Sequence, residues 1–105
     1  MIFVSGTTAI NDEEKIEGVG STYLQSRYIF NKINTALVAL GGKLEDVVRI
    51  RIFIINIDDY AEIRMAFNEY FKDIRPAATL VEVSNLMLPE LLVEIEADAI
   101  VMEDR

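Results

Sequence analysis

Neither cysteine nor histidine occurs among the 105 residues of the chain. The first absence excludes disulfides, thiolate nucleophiles and cysteine-ligated metals. The second removes imidazole bases, Ser-His-Asp triads and any histidine-containing zinc site. A metal would have to be a hard cation on carboxylates, such as magnesium, and no metal or other cofactor is expected. Proline occurs only at positions 76 and 89. No run of about 18 apolar residues is present, so no membrane span is expected. The opening MIFVSGTTAI lacks a basic segment and reads as a strand rather than a signal peptide, which makes the cytoplasm the expected location. Basic residues are few, 10 against 18 acidic ones, and they form no cluster. A phosphate backbone demands Lys/Arg neutralisation, so at a net charge of −8 nucleic acid is not an expected partner.

Apolar residues make up 51% of the chain, enough for the core of one domain spanning 1–105. Residues 1–8 alternate as a strand, with Ile2 and Val4 on one face and Phe3 and Ser5 on the other. Residues 9–20 are polar and glycine-bearing, a loop. Thr22 to Gln25 fits a capping box. The helix it opens carries Ile29, Ile33, Leu37 and Leu40 on one face and stops at Gly41-Gly42. The β-branched run from Val47 to Ile55 reads as a strand. Asp59 to Glu62 is a second capping box, opening a helix with Tyr60, Ile63, Phe67 and Tyr70 or Phe71 on one face. Pro76 ends this helix by about residue 74. Residues 77–83 and 91–102 are two further strands, joined by a loop around Pro89. The order β-α-β-α-β-β predicts an α+β fold. Helical crossovers favour parallel pairing, and the last connection favours an antiparallel hairpin. The expectation is a mixed sheet with both helices on one face.

The other face of that sheet is chemically mixed. Alternation turns Val48, Ile50, Ile52 and Ile54 towards the helices and leaves Arg49 and Arg51 opposite. In the last strand Val93, Ile95, Ala97, Ala99 and Val101 form the apolar set, against Glu94, Glu96 and Asp98. Glu82 shares a face with Leu80. The open face is thus expected to hold two arginines and four acids beside Leu80, Phe53 and Ile55. A solvated surface explains the charges; a subunit interface explains the charges and the apolar residues. A slip of one residue in register would exchange the two faces.

FVSG at 3–6, LEDVVR at 44–49, RPA at 75–77, VEV at 81–83 and VEIEADAIV at 93–101 occur in order. Together they resemble the Rid family of reactive-intermediate (imine) deaminases, also described as YjgF-type or L-PSP endoribonuclease-like proteins. The resemblance covers almost the whole chain. It implies a chorismate-mutase-like fold, a homotrimer, and clefts between subunits that bind a small organic molecule. It also implies hydrolysis of enamine or imine acids to keto acid and ammonia. By the same resemblance, Glu94 in the last strand positions the water and backbone groups at Ser5 line the cleft. An arginine just after the Pro-Ala step clamps the substrate carboxylate, a bidentate contact that alanine cannot reproduce. That position is Ala78. Arg64 falls where many relatives carry a cleft asparagine and is a candidate replacement, or else a solvated helix arginine. Thr79 offers a hydroxyl near the same cleft, or is an ordinary strand threonine. Glu94 has its own alternative, an ion pair with Arg49 or Arg51. Family members also carry a strand before FVSG. Here that strand is apparently missing, which would leave the first strand with an exposed edge. Three functions stay open: a deaminase of altered specificity, a non-catalytic metabolite-binding trimer, and an RNA-directed nuclease or translation inhibitor. The last is weakened by the acidic charge and the missing histidine.

Overall fold

The computed structural model describes residues 1–102. Two helices and four strands follow one another as β1 (Ile2–Thr7), α1 (Thr22–Ala39), β2 (Val47–Ile54), α2 (Tyr60–Phe71), β3 (Ala77–Glu82) and β4 (Val93–Ala99), with 3-10 turns at Leu44–Asp46 and Ile57–Asp59. The fold is α+β, as expected. Among the described residues no helix is long and apolar enough to cross a membrane.

α1 begins one residue earlier than the expected capping box. Ser21 is its N-cap, and the Ser21 hydroxyl accepts from the Leu24 amide at 3.0 Å. Thr22 and Gln25 are buried and reach elsewhere. The Thr22 hydroxyl donates to Asp59 Oδ2 at 3.2 Å. Gln25 Nε2 donates to the Glu90 carbonyl at 2.9 Å, and Gln25 Oε1 accepts from the Leu92 amide at 2.9 Å. The second expected box fails for the same reason. Asp59 makes no cap bond, and Glu62 Oε1 accepts from the Tyr23 amide at 3.1 Å. Glu62 therefore satisfies an orphan donor of the neighbouring helix, and both acids stand at its positive end.

Ile29, Phe30, Ile33 and Leu37 of α1 are fully buried against Ile63, Ala66 and Phe71 of α2 and against the sheet. The Phe30 ring lies 5.3 Å from both Tyr70 and Phe71, centroid to centroid. Burying each such large side chain stabilises the fold by about 1.5–3 kcal/mol. Leu40 departs from the expected stripe and is exposed. It caps α1, Gly41 follows at φ +83°, and the Gly42 amide turns back to the Leu37 carbonyl at 2.7 Å.

The strands are ordered β1-β4-β2-β3. β2 and β3 run parallel across the α2 crossover, and β4 is antiparallel to both β1 and β2. The expected hairpin between the last two strands does not form. Residues 83–92 instead carry the chain past β2 to the sheet's interior. Val93, Ile95, Ala97 and Ala99 are all buried there, which suits a central strand. β3 starts beside Pro76 and is mostly exposed, which suits an edge.

Two face assignments are corrected. A bulge between Val47 and Arg49 turns Val47 inwards and leaves Val48 exposed. Parallel register pairs Ala78, Leu80 and Glu82 with Ile50, Ile52 and Ile54, so Leu80 and Glu82 turn to the helix side. Glu82 Oε2 accepts from the Ile57 amide at 2.8 Å. The open face retains Arg49, Arg51 and Phe53, the acids Glu94, Glu96 and Asp98, and Val81.

Candidate binding cleft

One half of the candidate site lies where β1 meets β4. The register slips between Val4 and Thr7, creating a bulge at Ser5-Gly6. Gly6 has no side chain, and that allows the Glu94 carboxylate to rest on the β1 backbone: a Cβ at Gly6 would overlap it. The Thr7 hydroxyl donates to the Ser5 carbonyl at 2.8 Å, holding the bulge. The Ser5 side chain itself is exposed.

Of the two alternative partners for Glu94, Arg49 and Arg51, the second is engaged elsewhere. Arg51 Nε bonds to Glu96, and its Nη2 bonds to both Asp98 oxygens at 3.1 and 3.0 Å. These hydrogen bonds, Glu96 first and Asp98 second, raise the Arg51 pKa further above its already high value. Glu94 forms no ion pair among the described residues. It stands half-buried, paired in register with Phe53. A carboxylate so placed is able to accept a proton or orient a water.

The other half is a groove of about 420 Å³ between α2 and β3. Ile52, Ile63, Phe67 and Leu80 form its apolar floor. Tyr60, Arg64 and Asn68 reach it from α2, four residues apart and hence on one helix face. Ala78 and Thr79 line it on the strand side. The Arg64 side chain is exposed and forms no hydrogen bond or ion pair among the described residues.

Of the five expected site residues, Arg64, Ala78 and Thr79 therefore share one groove, while Ser5 and Glu94 adjoin each other across the β1–β4 junction. The single chain does not bring the two groups together. Glu94 points to the open face, and the groove opens at the far edge of the sheet, on the helix side. Sequence reasoning did not single out Gly6 or Asn68, and it read Tyr60 and Phe67 only as core. The four-residue spacing of Tyr60, Arg64 and Asn68 was the available signal for the groove. For Gly6 it was a glycine inside a strand pattern. Among the described residues no group of three or more Asp or Glu is arranged to hold a metal ion.

A four-stranded mixed sheet with two helices on one face, a bulged first strand and an edge groove define a small α+β fold. The chain belongs to the endoribonuclease L-PSP family, the Rid or YjgF proteins, whose pattern matches residues 1–101. It is 34% identical to the 3-aminoacrylate deaminase RutC of Acinetobacter baylyi, over 94% of this chain and 78% of that protein. Among solved structures it resembles Rv2704 of Mycobacterium tuberculosis, of the YjgF/YER057c/UK114 family. The identity is 39% and the TM-score 0.84, over 94% of this chain and 77% of that one. The Rid-family protein YyfA of Yersinia pestis superposes with a TM-score of 0.87 at 34% identity, over 94% of this chain and 79% of that one.

Proposed function

We propose that the chain acts as one domain in a homotrimer whose intersubunit clefts bind a small organic acid and hydrolyse its enamine or imine form to a keto acid and ammonia. The observation that carries this reading is the division of the site. Glu94 with Ser5-Gly6 faces the open side near β1, whereas Arg64 and Ala78 line the groove on the helix side at the β3 edge, so a second copy is needed to complete a cleft. The 34% identical relative named a 3-aminoacrylate deaminase supports the chemistry. In that reaction the enamine first tautomerises to the imine. Water then adds to the C=N carbon, with Glu94 orienting it and taking one proton, which it passes to nitrogen to give a carbinolamine. The hydroxyl proton is then transferred to nitrogen in turn, the C–N bond breaks, and ammonia leaves as the carbonyl forms. The location that goes with this reading is the cytoplasm.

A second reading, binding without turnover, is favoured by Ala78, whose methyl group supplies no bidentate hold on a carboxylate. The nuclease in the family's description has the least support here, since the chain lacks histidine and carries a net charge of −8.

Ammonia release from 2-iminobutyrate generated in situ tests the proposal. The natural protein should exceed the buffer rate, and Glu94→Gln should lose about 100-fold. A natural protein no faster than buffer would contradict hydrolysis. Activity appearing only in Ala78→Arg would then identify a competent scaffold used for binding alone.

A further inference from the structure

We infer that the groove between α2 and β3 selects carboxylates with a bulky apolar body, and that Arg64 on the helix is their anchor. This deepens the cleft reading above and rests on it. The chain has 18 acidic residues, yet none of them lines this groove. Two other surface hollows contain a lysine, and each sets it among acids or backbone acceptors. Lys72 stands with Glu45, Glu69 and Asp73. Lys32 shares its hollow with Asp12, and its ammonium donates to the Thr8 and Ile10 carbonyls at 2.9 and 2.8 Å. Of these three hollows only the Arg64 groove has no acidic residue in its lining, and the Arg64 side chain forms no ion pair among the described residues. In a molecule of net charge −8, a locally positive groove is specific for an anion rather than generally attractive to one. The planar guanidinium suits a carboxylate bidentately.

Shape supplies the second half. The groove, about 420 Å³ and open to one side, leaves room for a body larger than a three-carbon acid. Its floor of Ile52, Ile63, Phe67 and Leu80 offers nothing polar to a small hydrated ligand. With only a methyl group at Ala78, the strand side stays open where a long side chain would fill it. The carboxylate is held from α2 and the apolar body lies over Phe67 towards β3.

The test uses calorimetric binding to the intact protein, with phenylpyruvate, pyruvate and the methyl ester of phenylpyruvate as probes. Phenylpyruvate should bind about 10-fold or more tighter than pyruvate, from ring burial. The ester should bind about 10-fold or more weaker than phenylpyruvate, from loss of the charged contact. Arg64→Ala should weaken phenylpyruvate by about the same factor, leave the ester unchanged, and leave the melting temperature unchanged because Arg64 has no partner to lose. Equal or tighter binding of pyruvate, or phenylpyruvate affinity unaffected in Arg64→Ala, would overturn the inference. So would a change of sedimentation in Arg64→Ala without a change in binding, which would make Arg64 a subunit contact. Ammonia release measured in parallel separates the two levels. Arg64-dependent binding without turnover retains the anchor and removes hydrolysis, whereas turnover indifferent to Arg64 does the reverse.

Discussion

A side chain at Gly6 would displace the Glu94 carboxylate, the far end of a flexible side chain, without meeting any backbone. Position and folding are therefore separable at this residue. In Gly6→Ala the carboxylate must swing away, while the backbone conformation suits alanine and stability should stay within about 1 kcal/mol. Turnover should fall by about 10- to 100-fold, because a small misplacement of a catalytic group is costly. Ammonia release beside urea denaturation checks both halves, and full activity in Gly6→Ala would remove Glu94 from the chemistry. At this scale the sequence was partly legible. Ser5, Glu94 and Ala78 were reached through the family resemblance. The groove residues Tyr60, Arg64 and Asn68 share a helix face that spacing alone defines. Gly6 was not legible, because its role depends on a register slip that no local pattern announces.

The elements themselves followed from periodicity, and their ends did not. Thr22, Gln25, Asp59 and Glu62 are residue types that cap helices locally, but here they bond between helices and to the loop before β4. Tertiary partners won because all of these bonds satisfy groups that are wholly or partly buried. Gln25 is the strongest case, being fully buried between the Glu90 carbonyl and the Leu92 amide. Gln25→Leu should fit the space and leave both backbone groups unpaired, costing about 2–4 kcal/mol by denaturant unfolding. A loss below about 1 kcal/mol would mean that water replaces the amide. Tyr23 ties the helices in a second way, donating its hydroxyl to Glu69 at 2.9 and 2.8 Å. That hydrogen bond, then desolvation, then the Glu69 charge raise the Tyr23 pKa above the usual tyrosine value. The stabilisation is fully present below the unfolded tyrosine value of about 10 and is lost as pH rises through the higher folded value. Stability should decline over that alkaline range, and less steeply in Tyr23→Phe. Tyr28, raised mainly by desolvation, leaves a residual slope. Urea midpoints across alkaline pH measure this, and identical slopes in the two proteins would contradict the assignment.

For the whole molecule, the fold class and the one-sided helix layer were legible, because the apolar alternation of β2 and β4 allows little else. Strand order was not. Local rules favour a hairpin between neighbouring strands, but the fully apolar inner face of β4 is better buried at the sheet's centre than at its edge. The open face that results exposes Phe3 and Val81 beside the Arg51–Glu96–Asp98 ion-pair cluster. Neither solvent nor a core accounts for that mixture as well as a neighbouring copy does. The proposed trimer predicts a sedimentation mass three times the chain's 11.9 kDa.

The most direct measurement mixes two defects in one assembly. Glu94→Gln and Ala78→Glu are each expected to lose about 100-fold in turnover, one by removing the water-orienting carboxylate and the other by placing a negative charge in the groove. Co-expressed, the two variants should recover ammonia release from 2-iminobutyrate, because some clefts then combine an intact Glu94 from one subunit with an intact groove from another. Assemblies confirmed to contain both variants yet as inactive as either alone would contradict a cleft shared between subunits.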